Sequence, residues 1–74
     1  MTHPVQVLLG ARVKALRKMR GFDQAAFARH IDMDRSYLAS IEAGTRNVTL
    51  RNLIKIAKGL DVSLSELFEG IDVA

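Results

Sequence analysis

The chain has no cysteine, no tryptophan, one tyrosine and one proline, and each shortage removes something. Without cysteine there is no disulfide and no thiolate metal site, and a reducing compartment is no hindrance. No apolar run approaches the roughly 20 residues needed to span a bilayer. The opening MTHPVQVLLG lacks the basic lead and small-residue cleavage site of a secretory signal. A cytoplasmic protein that does not engage a membrane is expected. Acidic side chains are missing before Asp23 and basic ones after Lys58, so residues 1–59 carry a net +7 and residues 60–74 a net −4. A basic body with an acidic end suits a nucleic-acid surface on one side, although solubilising surface charge has the same look.

Catalytic patterns are missing too. His3 and His30 are far apart and lack metal-ligand spacing. His30 reads as a partly exposed helix residue, near phosphate if anywhere. There is no glycine-rich phosphate loop and no G-x-S-x-G elbow. A chain of 74 residues leaves little room for a concave pocket. No enzyme, metal or cofactor is expected. What is present is apolar material, 49% of the residues, enough for a single domain near the lower size limit for an unstapled core.

That material is arranged at helical spacing. After a lead ending in Pro4, which can open a helix, Leu9, Val13 and Leu16 recur from about Val5 to Arg20, with Val5, Leu8 and Met19 widening the stripe. Cations crowd the C-terminal half of this helix, favourably for its dipole, and Gly21 stops it. Arg17 follows Val13 and Leu16 closely enough to border the core and find a partner there.

The organising stretch is DQAAFARHIDMDRSYLASIEAG, residues 23–44. It predicts two short helices, Gln24 to Ile31 and Arg35 to Ala43, joined by the three-residue turn Ile31-Asp32-Met33. Asp23 and Asp34 can cap them, with Phe22/Phe27 and Met33/Leu38 as hydrophobic staples. Gly44 can end the second helix in left-handed geometry. Phe27, Ala28, Ile31, Leu38 and Ile41 face inward and need further helices behind them. That leaves Arg35, Ser36, Tyr37, Ala39 and Ser40 on a mostly polar front that suits the DNA major groove.

The loop Thr45-Arg46-Asn47-Val48 offers N–H, hydroxyl, amide and guanidinium groups to phosphate oxygens. Thr49 caps a fourth helix to about Lys58, with a wide stripe of Leu50, Leu53, Ile54, Ile56, Ala57 and Leu60. Gly59 weakens its last turn, and Asp61 takes the left-handed stop. Ser63-Leu64-Ser65-Glu66 is an S-x-x-E capping box with Val62 and Leu67 as staple, so a fifth helix runs from Leu64 to about Glu69, and Gly70 ends it. The fold expected is all-α, a compact five-helix bundle in one domain. Two functions compete: DNA binding through the second helix of the pair, and a helical protein-interaction module using the same Arg35–Ser40 face. The capped pair, basic body and polar loop together favour DNA.

Gln24, Phe27-Ala28, Leu38, Ile41-Glu42 and Gly44 resemble the helix-turn-helix pattern of the phage repressor and Cro family, over about Leu9 to Phe68. Asp34-Arg35-Ser36-Tyr37, Ile41-Glu42, Thr45 to Leu50 and Leu64 to Phe68 look more narrowly like controller proteins of restriction–modification systems. Those are small dimeric regulators that bind operators ahead of their own gene and a linked endonuclease gene, activating at low level and repressing at high level. An unlinked phage-type or antitoxin-type repressor is the alternative.

The resemblance implies a homodimer on a double-stranded, two-fold DNA operator, with RNA polymerase as a further partner. Groove placement comes with the family rather than from these residues. It puts Arg35, Ser36, Tyr37 and Ser40 at base edges, Gln24, Thr45, Arg46 and Asn47 on the backbone, and Glu42 in a structural ion pair with Arg17. Asp32 departs from the family's turn glycine, but aspartate tolerates left-handed geometry. Ala43 stands where a polar or basic residue is common and removes a DNA contact. Leu50, Leu60, Leu64, Phe68, Ile71 and Val73 exceed what one small bundle easily buries, so helices four and five are expected to dimerise. The competing role for the fifth helix is to complete the monomer core.

Overall fold

A computed structural model describes residues 4–72; His3 and Val73 lie outside them. The described residues form five helices: α1 (Val5–Met19), α2 (Gln24–His30), α3 (Arg35–Glu42), α4 (Leu50–Leu60) and α5 (Leu64–Leu67). Each starts where a side chain or proline can start it. Asp23 accepts from the Ala26 amide, Asp34 from Ser36 and Tyr37, Thr49 from Asn52, and Ser63 closes the full capping box with Glu66. These contacts satisfy N–H groups that the first helical turn leaves without partners. Pro4 precedes α1 without a side-chain cap. Asp32 and Asp61 adopt φ of 53° and 58°, the left-handed geometry expected of both.

Eleven buried apolar residues, ten from the five helices and Ile31 from the turn after α2, meet in one core, with Val13, Phe27, Leu38, Ile56, Leu60 and Leu67 each fully enclosed. The Phe22 and Phe27 rings pack at 5.3 Å between centroids. The elements are shorter or longer than their patterns by a residue or two, as fraying ends usually are. In α4 the difference has a cause. The helix continues through Gly59 because Leu60 at its end is buried in the core, and position 59 takes glycine because a Cβ there would lie 2.2 Å from Ile31 Cγ2. The glycine weakens propensity and admits the core. Gly10 does the same in α1, where a Cβ would lie 2.3 Å from the Ile41 carbonyl oxygen. α1 and α3 therefore approach backbone to backbone at Gly10, which fixes α3 on the bundle.

Three expectations need correction. Leu60 is not available for dimerisation. It sits one turn after Ile56 on the inward face of α4, and both are fully buried. Met19 does not widen the stripe of α1; it is 79% exposed, because the chain turns away at Gly21, φ 79°, before another element covers it. The buried line of α1 is Leu9, Val13 and Arg17, spaced four apart, so a cation completes a stripe that Leu16 was expected to hold.

Candidate nucleic-acid interface

Arg17 is tolerable in the core only because its fork is filled. Its Nε donates to Glu42 Oε2 at 2.7 Å, Nη2 to Glu42 Oε1 at 2.9 Å, and Nη1 to the Phe22 carbonyl at 2.8 Å. The two side chains are 6% and 4% exposed. Hydrogen bonding to Glu42 raises the guanidinium's hold on its proton above the ordinary value, against the desolvation that burial imposes. The bidentate geometry ties the C-terminal end of α3 to the last turn of α1.

Glu42 accepts a third hydrogen bond, from a second residue. Gln24, the first residue of α2, donates from Nε2 to Glu42 Oε1 at 3.2 Å. Its Oε1 accepts from Arg35 Nε at 3.5 Å, a long contact near the limit of a hydrogen bond. One polar chain thus runs from the buried Arg17 to the exposed Arg35 at the first turn of α3. Ser36 is exposed as well, but its hydroxyl donates to Asp34 Oδ1. The Ser36 hydroxyl, then the amides of Ser36 and Tyr37, hold the Asp34 carboxyl below its ordinary range. Asp34 therefore stays ionised, a fixed negative end to a helix start that favours anions.

The far half of α3 is organised around Tyr37. The Ser40 hydroxyl donates to the Tyr37 carbonyl at 2.6 Å and accepts from Arg46 Nε at 2.9 Å. The Arg46 guanidinium lies 4.6 Å from the centre of the Tyr37 ring, within cation–π range. Arg46 is thus carried on α3 although it belongs to the loop. Thr45 returns to the Ser40 carbonyl through its amide at 3.1 Å and its hydroxyl at 3.2 Å. The Tyr37 hydroxyl accepts from Asn52 Nδ2 on α4 at 3.0 Å.

The structure therefore gathers Gln24, Arg35, Glu42 and Arg17 into one network, and Tyr37, Ser40, Thr45 and Arg46 into another. Asn47 joins neither. It lines a groove of about 220 Å³ with Val5, Leu9, Leu53 and Phe68. Of the residues assigned to dimerisation, Leu50 is 63% exposed and Leu64 38%, while Phe68 and Ile71 pack partly against the core. Asn52 and Arg12 were missed by sequence reasoning. Arg12 donates to the Glu66 carbonyl at 2.8 Å and lies 3.6 Å from Glu69. Long-range polar contacts of this kind leave no periodic trace. His30 is exposed and stacks on Phe22 at 4.9 Å. Among the described residues no three metal-binding side chains converge, and no helix is long and apolar enough to cross a membrane.

Comparison with known proteins gives the arrangement its context. Residues 13–67 match the helix-turn-helix family. The chain is similar to the control protein C.MunI of a Mycoplasma species, at 48% identity over 69 residues, covering 92% of this chain and 93% of that one. It is also similar to the crystal structure of the restriction–modification controller protein C.AhdI of Aeromonas hydrophila. There the TM-score is 0.82 and identity 41%, covering 85% of this chain and 96% of that one. A third likeness is to the controller protein C.Esp1396I, solved as a tetramer in complex with its natural 35-base-pair operator. Its TM-score is 0.83 and identity 31%, covering 95% of this chain and 92% of that one.

Proposed function

The chain belongs to the helix-turn-helix family, and from that premise we propose that it is a sequence-specific transcriptional regulator of the restriction–modification controller type. It binds a two-fold DNA operator as a homodimer and governs its own gene together with a linked endonuclease gene. Near-full-length similarity to controller proteins supports the subtype. The observation that carries the DNA reading is α3 itself. It is capped by Asp34, braced from behind by the Arg17–Glu42 pair, and exposes Arg35 and Ser36 at its N-terminal turn.

In this reading Arg35, Ser36, Tyr37 and Ser40 lie at base edges, with Ser40 also serving as a post for Arg46. Gln24, Thr45, Arg46 and Asn47 take the backbone. Gln24 is suited to phosphate because its oxygen faces Arg35 and one amide hydrogen remains beyond the bond to Glu42. Leu50 and Leu64 are the strongest members of the dimer surface, with Phe68 and Ile71 at its margin. The protein acts in the cytoplasm, where activation would bring it against RNA polymerase.

Footprinting on the DNA upstream of its own gene tests this reading. Two protected half-sites related by a dyad, about one helical turn or a multiple of it apart, are expected. Leu50→Asp should abolish the paired protection while leaving the fold intact. Leu50 is exposed at the first position of α4, where a carboxylate suits the helix dipole. Protection without symmetry, or unchanged by Leu50→Asp, would count against dimeric binding through this face.

A further inference from the structure

We propose that Asn52 is a specificity-determining positioning residue, which holds Tyr37 from α4 and so sets how the groove face of α3 meets DNA. The inference rests on the DNA-binding reading above and extends it to a residue outside the helix-turn-helix.

Tyr37 is held at three points that belong to three different segments. Its carbonyl accepts from Ser40 within α3, its ring lies beneath the loop's Arg46, and its hydroxyl accepts from Asn52. The last of these is the one long-range tie. Asn52 is well placed to provide it. Its own amide is fixed by the Thr49 cap at 3.2 Å, so its side chain leaves a helix turn that is already ordered. Leu50 and Ile54, four residues apart, share the outward face of α4 and are 63% and 38% exposed. Asn52, two residues from each, projects to the opposite side, toward α3.

The chemistry of the contact sets its consequence. A tyrosine ring on a short helix turns about two bonds, and its hydroxyl both donates and accepts. With Asn52 donating, the phenolic oxygen is occupied as an acceptor and its proton is left for an acceptor on DNA. Among the described residues that proton has no partner. The Tyr37 ring is ordered before DNA arrives and need not be immobilised on binding, while Arg46 keeps its own bond to the Ser40 hydroxyl whatever holds the ring. Ordering one such side chain beforehand is worth about three- to tenfold in affinity. The gain applies to the complex in which Tyr37 meets a base edge, so it appears as discrimination rather than as general affinity.

The test uses the full chain, DNA from upstream of its own gene, and a scrambled duplex of equal length. Asn52→Leu, Tyr37→Phe and the double variant are compared with wild type. The single tyrosine and the absence of tryptophan make intrinsic fluorescence a report on Tyr37 alone, and the Arg46 δ-methylene proton shifts report the ring above which they sit. Asn52→Leu is expected to lower affinity for the upstream DNA about three- to tenfold and to leave the scrambled duplex within about twofold. It should also alter Tyr37 emission and relax the Arg46 shifts toward random-coil values. Tyr37→Phe, which deletes the hydroxyl's donor as well as its bond to Asn52, should lose at least as much, and the double variant no more than Tyr37→Phe alone. Unchanged discrimination in Asn52→Leu, or losses that add in the double variant, would overturn the proposal while leaving the DNA reading intact. Should Asn52→Leu fail to fold, Tyr37→Phe deletes the same hydrogen bond from the α3 side, and unaltered discrimination there overturns it equally. Wild type that does not distinguish upstream from scrambled DNA would overturn both readings together.

Discussion

Arg17 and Glu42 show what a single residue must do when a charge enters so small a core. Both are nearly inaccessible, and each supplies most of what the other lacks. Removing one partner leaves the other desolvated and uncompensated, at a cost of about 3–5 kcal/mol. That is a large share of the 5–15 kcal/mol total typical of natural domains. Thermal and urea denaturation of Glu42→Ala should therefore show a marked loss, and a melting temperature within about two degrees of wild type would contradict it. Gln24 and Arg35 extend the same chain to the surface, where the requirement changes from stability to recognition. Arg35 stands at the end of α3 expected to enter the groove, so its fork can reach guanine O6 and N7. Arg35→Ala should relax preference at one symmetric base position by about 1–3 kcal/mol, whereas Arg46→Ala should weaken all sequences alike and make the salt slope shallower. Competition with operators substituted position by position separates the two. Equal losses for every sequence in Arg35→Ala would remove it from base reading.

The helices take their limits from local chemistry, and that chemistry was legible in the sequence. Asp23, Asp34, Thr49 and the Ser63–Glu66 box act within three residues of themselves, so their signals survive without the fold. The left-handed Asp32 and Asp61 are legible for the same reason. What was not legible depends on neighbours distant in the chain. Leu60 looked surplus until Ile56 showed which face of α4 is inward. Gly59 and Gly10 looked like weak points, yet each is the place where another helix comes too close for a side chain. Arg17 could be read as bordering the core, but not as the third member of its buried line. The Tyr37–Asn52 bond joins positions fifteen apart and follows no period. The cap of α3 also makes a pH prediction. The Asp34 carboxyl is held below its ordinary value of 3.8 in the folded protein. Its contribution to stability is therefore complete above about that pH and is lost as the pH falls through the lower folded value. Glu66, lowered first by the Ser63 amide, acts in the same acid range. Asp34→Asn keeps a good capping oxygen without a titrating proton. Melting curves taken from pH 5 to pH 2 should accordingly fall less steeply for this variant than for wild type. Identical acid profiles would mean the cap carries no ionic share.

Across the whole molecule the charge is sorted, with every cation before residue 59 and the final fifteen residues acidic. Arg35 and Arg46 lie on or against α3, whereas Arg12 and Arg20 turn to the Glu66 and Asp61 carbonyls, and Leu50 and Leu64 are exposed on the two C-terminal helices. In the function proposed here, recognition falls to α3 and pairing to the exposed leucines of α4 and α5. A protein so built should hold DNA by two separable terms. Phosphate neutralisation acts on any sequence and weakens with salt, while base contacts add a fixed increment for the operator alone. The most direct test is the affinity of wild type for its upstream DNA and for a scrambled duplex, each followed from about 50 to 200 mM salt. Both affinities should fall steeply, by about a thousandfold or more if the dimer makes six to ten phosphate contacts. The upstream DNA should remain at least about a thousandfold tighter throughout. Affinities that stay flat with salt, or that coincide for the two duplexes, would contradict sequence-specific DNA binding by this protein.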